Sequence, residues 1–183
     1  MSTYLIISDT HDNLSNLEVL KKHVNTYLRN VDTIIHLGDI TSPFTLKELL
    51  NLGIELVVIL GNNDGDKLLL KEVYGKISEP PLEIRLCGLD TLLIHGFKSA
   101  SITHKIVNAL ARGGDYDIIL FGHTHRYYLD VVGSTLVMNP GALSGYLTQQ
   151  PTYGVVDFKE GKAYIASLIN GRHLLSTSLP SRT

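Results

Sequence analysis

Seven residues of the kinds that bind metal ions stand directly after short apolar runs in this chain: Asp9 and His11, Asp39, Asn62, His95, and His123 with His125. The first pair shows the pattern. Tyr4-Leu5-Ile6-Ile7 suits a pleated sheet, and Ser8-Asp9-Thr10-His11-Asp12 follows it, so a strand end delivers a carboxylate and an imidazole into one loop. In open α/β sheets ligands collect beyond the carboxyl ends of the strands. One Asp-x-His is weak evidence, because such loops are commonly solvated turns. The repetition carries the weight: Thr33 to Leu37 leads into Gly38-Asp39, Glu55 to Leu60 into Gly61-Asn62-Asn63-Asp64, Thr91 to Ile94 into His95-Gly96, and Tyr116 to Phe121 into Gly122-His123-Thr124-His125.

Seven oxygen and nitrogen ligands without a thiolate exceed what one ion takes from a protein. With one carboxylate bridging they divide into two sets of four, which leaves positions for water or substrate on each of two ions. Carboxylate and amide oxygens mixed with imidazoles favour Mn, Fe, Ni or Zn over Ca. Glycines before Asp39, Asn62 and His123 and after His95 let the backbone turn sharply and approach the ions.

The elements that must position these groups are legible as alternating strands and helices. Leu14, Leu17, Leu20, Val24 and Leu28 recur at helical spacing behind a cap at Asp12 or Asn13, with Asp12 read as a cap rather than a ligand. Ser42-Pro43 opens a second helix with Leu46, Leu49 and Leu50 inward, and Gly53 stops it. Lys67 to Tyr74 is a short helix, and Ser101 to Arg112 is a longer one with Ile102, Ile106, Val107 and Leu110 inward. Leu82 to Leu86 and Thr91 to Ile94 read as a hairpin turned at Cys87-Gly88-Leu89-Asp90. Tyr127 to Val132, Thr135 to Met138, Tyr153 to Asp157 and Ala163 to Leu168 read as antiparallel strands. The early strand-loop units imply parallel pairing, so the expected architecture is α/β: two mixed sheets face to face with helices outside and the ligand loops converging at one edge.

Composition bounds the function. The 183 residues suit one domain, expected to span 1–169, with residues 170–183 as a poorly ordered tail. A net charge of -2 and a basic stripe that is nowhere evident argue against a nuclease tracking long nucleic acid. One cysteine, Cys87, and apolar runs far below membrane-spanning length give a cytoplasmic expectation with no membrane partner.

The ordered set Asp9-x-His11, Gly38-Asp39, Gly61-Asn62-x-Asp64, His95-Gly96 and Gly122-His123-x-His125 resembles the calcineurin-like metallophosphoesterases, in particular their small bacterial and archaeal phosphodiesterase branch. The resemblance runs from about Tyr4 to Met138, and Asn139-Pro140-Gly141 resembles a further element of that branch. It implies a four-layer α-β-β-α fold around a β-sandwich. It also implies two divalent ions, manganese before Ni, Fe, Zn or Mg, with Asp9, His11 and His125 on the first, Asn62, His95 and His123 on the second, and Asp39 bridging. Such a pair, about 3.5–4 Å apart, makes a shared water nucleophilic for in-line attack on phosphorus. The expected catalytic residues are Asp39, Asn62 and Asp64, and the expected partner is a small phosphodiester; a homo-oligomer is compatible with the sequence.

One departure bears on specificity. Family phosphatases often carry His directly after the Asn, where it protonates the leaving alkoxide, whereas this chain has Asn63, which has no proton to give near neutral pH. Diesters or activated aryl esters are therefore expected over alkyl monoesters, with Asp64 orienting a water in place of the acid. The same family includes retromer-subunit relatives that use the fold to bind proteins, so a scaffold is the alternative; seven intact ligands favour the enzyme. Among other groups, His36 reads either as a partner to a ligand or as a buried imidazole bonded to backbone. His23, His104 and His173 read as solvated, Arg126 as a surface charge with phosphate contact the alternative, and Tyr127, Tyr128 and Tyr146 as packing.

Overall fold

The computed structural model describes residues 2–180, arranged in four layers. Strand β1 (Thr3–Ile7) is flanked by β2 (Thr33–His36) in parallel and by β9 (Thr152–Asp157) in antiparallel pairing. Strands β3 (Glu55–Val58), β10 (Lys162–Ser167) and β11 (His173–Ser178) complete a six-stranded sheet in the order β11-β10-β9-β1-β2-β3. The second sheet runs β4-β5-β6-β8-β7, from strands β4 (Leu82–Leu86), β5 (Leu89–Ile94), β6 (Ile118–Phe121), β7 (Tyr128–Val132) and β8 (Thr135–Asn139).

Strand β1 is apolar on both faces because both faces are covered. Ile6 points into the inter-sheet core with Ile35, Leu120, Met138 and Ile165, while Leu5 and Ile7 point outward onto helices. Those helices are α1 (Leu14–Thr26), α2 (Pro43–Leu50) and α3 (Lys67–Val73), whose Leu17, Leu20, Leu46, Leu49 and Leu70 cover the first sheet. Helix α4 (Ala100–Gly113) covers the second sheet with Val107 and Ala111 on Ile119, Phe121 and Val137. Each buried Leu or Ile contributes about 1.5–3 kcal/mol from apolar burial, so β1 is fixed in register by its own side chains.

The caps follow short polar side chains. Asn13 caps α1 by accepting from the Asn16 N–H, and Asp12 instead accepts from the Thr45 hydroxyl at 2.9 Å, tying the first loop to α2. Ser42 caps α2 with Pro43 behind it.

Several expectations change. Residues 173–178 of the expected tail form β11, an edge strand on β10 in which His173 stacks on Tyr164 with ring centroids 3.9 Å apart; the last part of that tail, 181–183, lies outside the described residues. The hairpin turn is only Cys87-Gly88, both with positive φ, so Leu89 and Asp90 belong to the strand. On α4, Thr103 and Ala111 take inward places expected of Ile102 and Leu110, which are exposed. His23 is buried, with Nδ1 3.2 Å from the Tyr153 hydroxyl, and His104 packs edge-on against Phe121 and Tyr128.

Candidate metal centre

All the ligand loops open at one edge of the sandwich. Asp9 leaves β1, Asp39 leaves β2, Asn62 follows β3, His95 leaves β5, and His123 and His125 follow β6. Five of these residues are non-glycine with left-handed backbone: Asp9 (φ 53°), His11 (42°), Asp39 (58°), His123 (67°) and His125 (58°). Asp, Asn and His tolerate that region best, and a run of such conformations marks loops held against their own preference by what surrounds them.

Hydrogen bonds lock the loops together. The Asp9 N–H donates to the Gly38 carbonyl and the His11 N–H to the Asp39 carbonyl, while the His123 N–H donates to Asp9 Oδ2 at 3.1 Å. Two glycines are required for close approach: a methyl group at Gly61 would collide with Asp39 Oδ1, and one at Gly122 with Ser8 Oγ. Asn139 pins the histidine loop by donating to the Gly122 carbonyl and to Thr124 Oγ1.

The side chains converge in two groups that share Asp39. In the first, one ligand atom from each of Asp9, His11, Asp39 and His125 lies within 4.8 Å of all the others. His125 Nε2 is 3.3 Å from Asp9 Oδ1, and His11 Nε2 is 3.9 Å from Asp9 Oδ1 and 3.7 Å from Asp39 Oδ2. In the second, Asn62 Oδ1 lies 3.1 Å from His95 Nε2 and 2.8 Å from His123 Nδ1, and His95 Nε2 is 3.4 Å from Asp39 Oδ1. The structure therefore brings all seven sequence-derived ligands together, with one Asp39 oxygen turned toward each group.

The tautomers suit metal ligation. His95 Nδ1 is 2.7 Å from the Leu37 carbonyl and His125 Nδ1 is 3.1 Å from the Tyr146 carbonyl. A carbonyl only accepts, so each Nδ1 carries a proton, which leaves Nε2 as the nitrogen that would bind a metal ion.

The chemistry of this donor set suits a cation. Asp9 and Asp39 are both fully buried, yet Asp9 Oδ1 and His11 Nε2 are buried without a hydrogen-bond partner among the described residues. Unpartnered buried polar atoms are costly, and separations of 3.3–3.9 Å exceed hydrogen-bond length. They match ligands around one ion, where bonds of about 2.1 Å put neighbouring ligand atoms about 3–4 Å apart. Burial pushes the Asp9 carboxyl above the ordinary carboxylate range despite the opposing pull of His95. Burial would raise Asp39 too, but His95 and the two Asn63 donors outweigh it and hold that carboxyl well below the ordinary range. His95 is raised, because the Asp39 and Asp9 charges overcome its burial. The residues present fit divalent ions.

Asp64 does not orient a water. It is buried, and both oxygens are already used: Oδ2 accepts from the Asp39 N–H at 3.0 Å and the Gly61 N–H at 2.6 Å, and Oδ1 accepts from the Thr41 N–H at 2.7 Å. It is a positioning residue for Asp39. Asn63 also faces Asp39, with its backbone N–H donating to Oδ1 at 2.8 Å and Nδ2 to Oδ2 at 2.7 Å.

His36 resolves to a buried positioning group. Its Nδ1 accepts from the Gly38 N–H at 3.2 Å, so Nε2 carries the proton donated to Thr10 Oγ1, 3.0 Å away. Burial pushes its pKa down to about 3, and the imidazole is neutral. Tyr146 is exposed rather than packed into a sheet, and its ring lies 5.8 Å from both the His11 and His125 rings. Sequence reasoning passed over Asn16, which donates from Nδ2 to the Leu143 and Ser144 carbonyls and so ties helix α1 to the loop that carries Tyr146.

Comparisons with known proteins agree with this geometry. The calcineurin-like phosphoesterase superfamily domain matches residues 3–161. A phosphodiesterase of Methanocaldococcus jannaschii is 37% identical over 164 residues, covering 87% of this chain and 94% of its own. A solved archaeal phosphodiesterase superposes with a TM-score of 0.78 at 31% identity over 90% of this chain and 99% of its own. Vps29 from Entamoeba histolytica, at a TM-score of 0.75 and 20% identity, covering 96% and 98%, shows the same fold.

Proposed function

Because the chain belongs to the calcineurin-like phosphoesterase superfamily, we propose that it is a phosphodiesterase with two divalent ions, manganese first among the candidates, held by the seven converging residues. Asp9, His11 and His125 would hold one ion and Asn62, His95 and His123 the other, with Asp39 shared. The single observation that carries this reading is the Asp39 carboxylate, whose Oδ2 faces His11 and whose Oδ1 faces His95. Divalent ions bound there supply Lewis acidity, which polarises phosphoryl oxygens and makes water acidic enough to attack phosphorus near neutral pH.

The chain's own residues set the rest. Asp64 fixes the Asp39 backbone and Asn63 fixes the Asp39 carboxylate, so the shared ligand is oriented before any ion binds. The carbonyls of Leu37 and Tyr146 hold the proton of their histidine on Nδ1 and keep Nε2 available. At the position beside Asn62 the amide of Asn63 offers no proton, so the leaving group must depart as a stable anion. Aryl phosphodiesters should therefore react much faster than alkyl monoesters. The test is a rate comparison on purified protein with added manganese, using bis(4-nitrophenyl) phosphate and an alkyl phosphomonoester. Diester hydrolysis abolished by chelation and restored by manganese supports the reading, and equal rates on both esters refute the preference.

A further inference from the structure

The cavity beside the candidate centre has a volume of about 390 Å³ and is lined by Arg126, Tyr127, Leu147, Thr148 and Gln150. Both of its walls start one residue from the centre. Arg126 follows His125, and Leu147 follows Tyr146, whose carbonyl accepts a hydrogen bond from His125 Nδ1–H and whose ring lies against His11 and His125. Consecutive Cα atoms are about 3.8 Å apart, so Arg126 and Leu147 each leave the chain within one residue of the centre.

The wall that carries Leu147 is built rather than loose. The Ser144 N–H donates to the Asp9 carbonyl, the Gln149 N–H to the Gly145 carbonyl, and Asn13 and Asn16 both donate to the Ser144 carbonyl. Leu147 and Gln149 have left-handed backbone, with φ of 66° and 56°, which a leucine adopts at a cost. The strained segment nonetheless holds Tyr146 and Leu147 out to solvent, 61% and 74% exposed. No carboxylate lines the cavity. Its chemistry is a guanidinium, an aromatic ring, an isobutyl group, a hydroxyl and an amide, which suits a flat organic group attached to an anion: the ring stacks on the guanidinium and the apolar side chain, and the phosphate negative charge stays near Arg126.

Resting on the phosphodiesterase reading, we propose that this cleft is the subsite for one organic ester arm of the substrate, and that it selects diesters bearing a planar ring over those with small alkyl groups. Arg126 and Leu147 are the specificity-determining residues.

The test is calorimetric titration of the manganese-loaded protein with diphenyl phosphate and, separately, dimethyl phosphate, for the wild type, Arg126→Ala, Arg126→Lys and Leu147→Ser. Both positions are exposed, and melting curves check that the variants fold. The wild type should bind diphenyl phosphate at least tenfold more tightly than dimethyl phosphate. Leu147→Ser and Arg126→Ala should each cut that ratio to about threefold or less while leaving dimethyl phosphate affinity within about twofold for Leu147→Ser, and Arg126→Lys should keep the charge but lose most of the ring preference. Equal affinities in the wild type, or an undiminished ratio in Leu147→Ser, overturn the subsite. Ring-selective binding without any diester turnover would retain the subsite and reject the phosphodiesterase reading instead.

Discussion

Replacing Asp64 isolates the framework from the chemistry, because this carboxylate accepts from three backbone N–H groups around Asp39. In Asp64→Ala the N–H groups of Asp39, Thr41 and Gly61 all lose their acceptor. A buried donor left without a partner costs about 1–3 kcal/mol. Water entering the vacated space recovers part of that, so the expected loss is about 3–5 kcal/mol, against a total stability of about 5–15 kcal/mol for a domain. In Asp64→Asn the amide can turn its oxygen toward the Asp39 and Gly61 donors but must then present its NH₂ to the Thr41 N–H, which predicts a smaller cost of about 2 kcal/mol. Urea denaturation of chelated protein measures both, with unchanged m-values as the check that the unfolded state is the same. Because Asp64 also aims Asp39, the alanine variant should lose about 10–100-fold in metal affinity, the usual consequence of removing a ligand's support. A loss under about 1 kcal/mol for Asp64→Ala would show that the three bonds do not hold the loop.

Further outcomes follow from the same geometry. Asp39→Asn should cost more activity and more bound metal than His11→Ala, since it removes the charge and one of the two oxygens of the carboxylate that both groups share; equal losses by metal analysis and rate would contradict sharing. Asn63→His supplies an imidazole beside Asn62 but removes the Asn63 Nδ2 bond to Asp39, so alkyl monoester hydrolysis should rise at least tenfold, short of the full factor of about 10²–10⁴ for general acid catalysis; an unchanged monoester rate counts against the assignment. Neutral, buried His36 has its pKa depressed to about 3. Its contribution is therefore complete above the unfolded value near 6.5 and is lost as pH falls toward 3, because only the unfolded chain takes up the proton. The stability gap between wild type and His36→Gln in chelated protein should shrink by up to about 1.4 kcal/mol per pH unit below pH 6.5, and a gap constant between pH 7 and 5 would contradict it. Gly61→Ala, which drives a methyl group into Asp39, should abolish metal retention while secondary structure by circular dichroism remains.

The sequence made the seven ligands legible because strand ends are punctuated: an apolar run such as Tyr4 to Ile7 followed by Ser8-Asp9 leaves little choice about which way the next residues face. Roles that depend on distant partners were not legible. Asp64 looked chemical by proximity to Asn62, but its acceptors are spent on Asp39, Thr41 and Gly61, a pairing that only the folded loops create. His23 sat on a predicted helix surface and is buried because β9 brings Tyr153 against it. Residues 173–178 lack a strong alternation, and they form a strand because the exposed edge of β10 offers them a hydrogen-bonding template. Tyr146 carries no periodic signal at all, and its place beside His11 follows from Asn13 and Asn16 anchoring Ser144.

The number of ions held per chain bears most directly on the account. Native mass spectrometry of protein loaded with manganese and freed of excess should show two ions on the wild type, one on His123→Ala, and at most one on Asp39→Asn. A single ion on the wild type, or two on Asp39→Asn, would contradict a centre organised around one shared carboxylate.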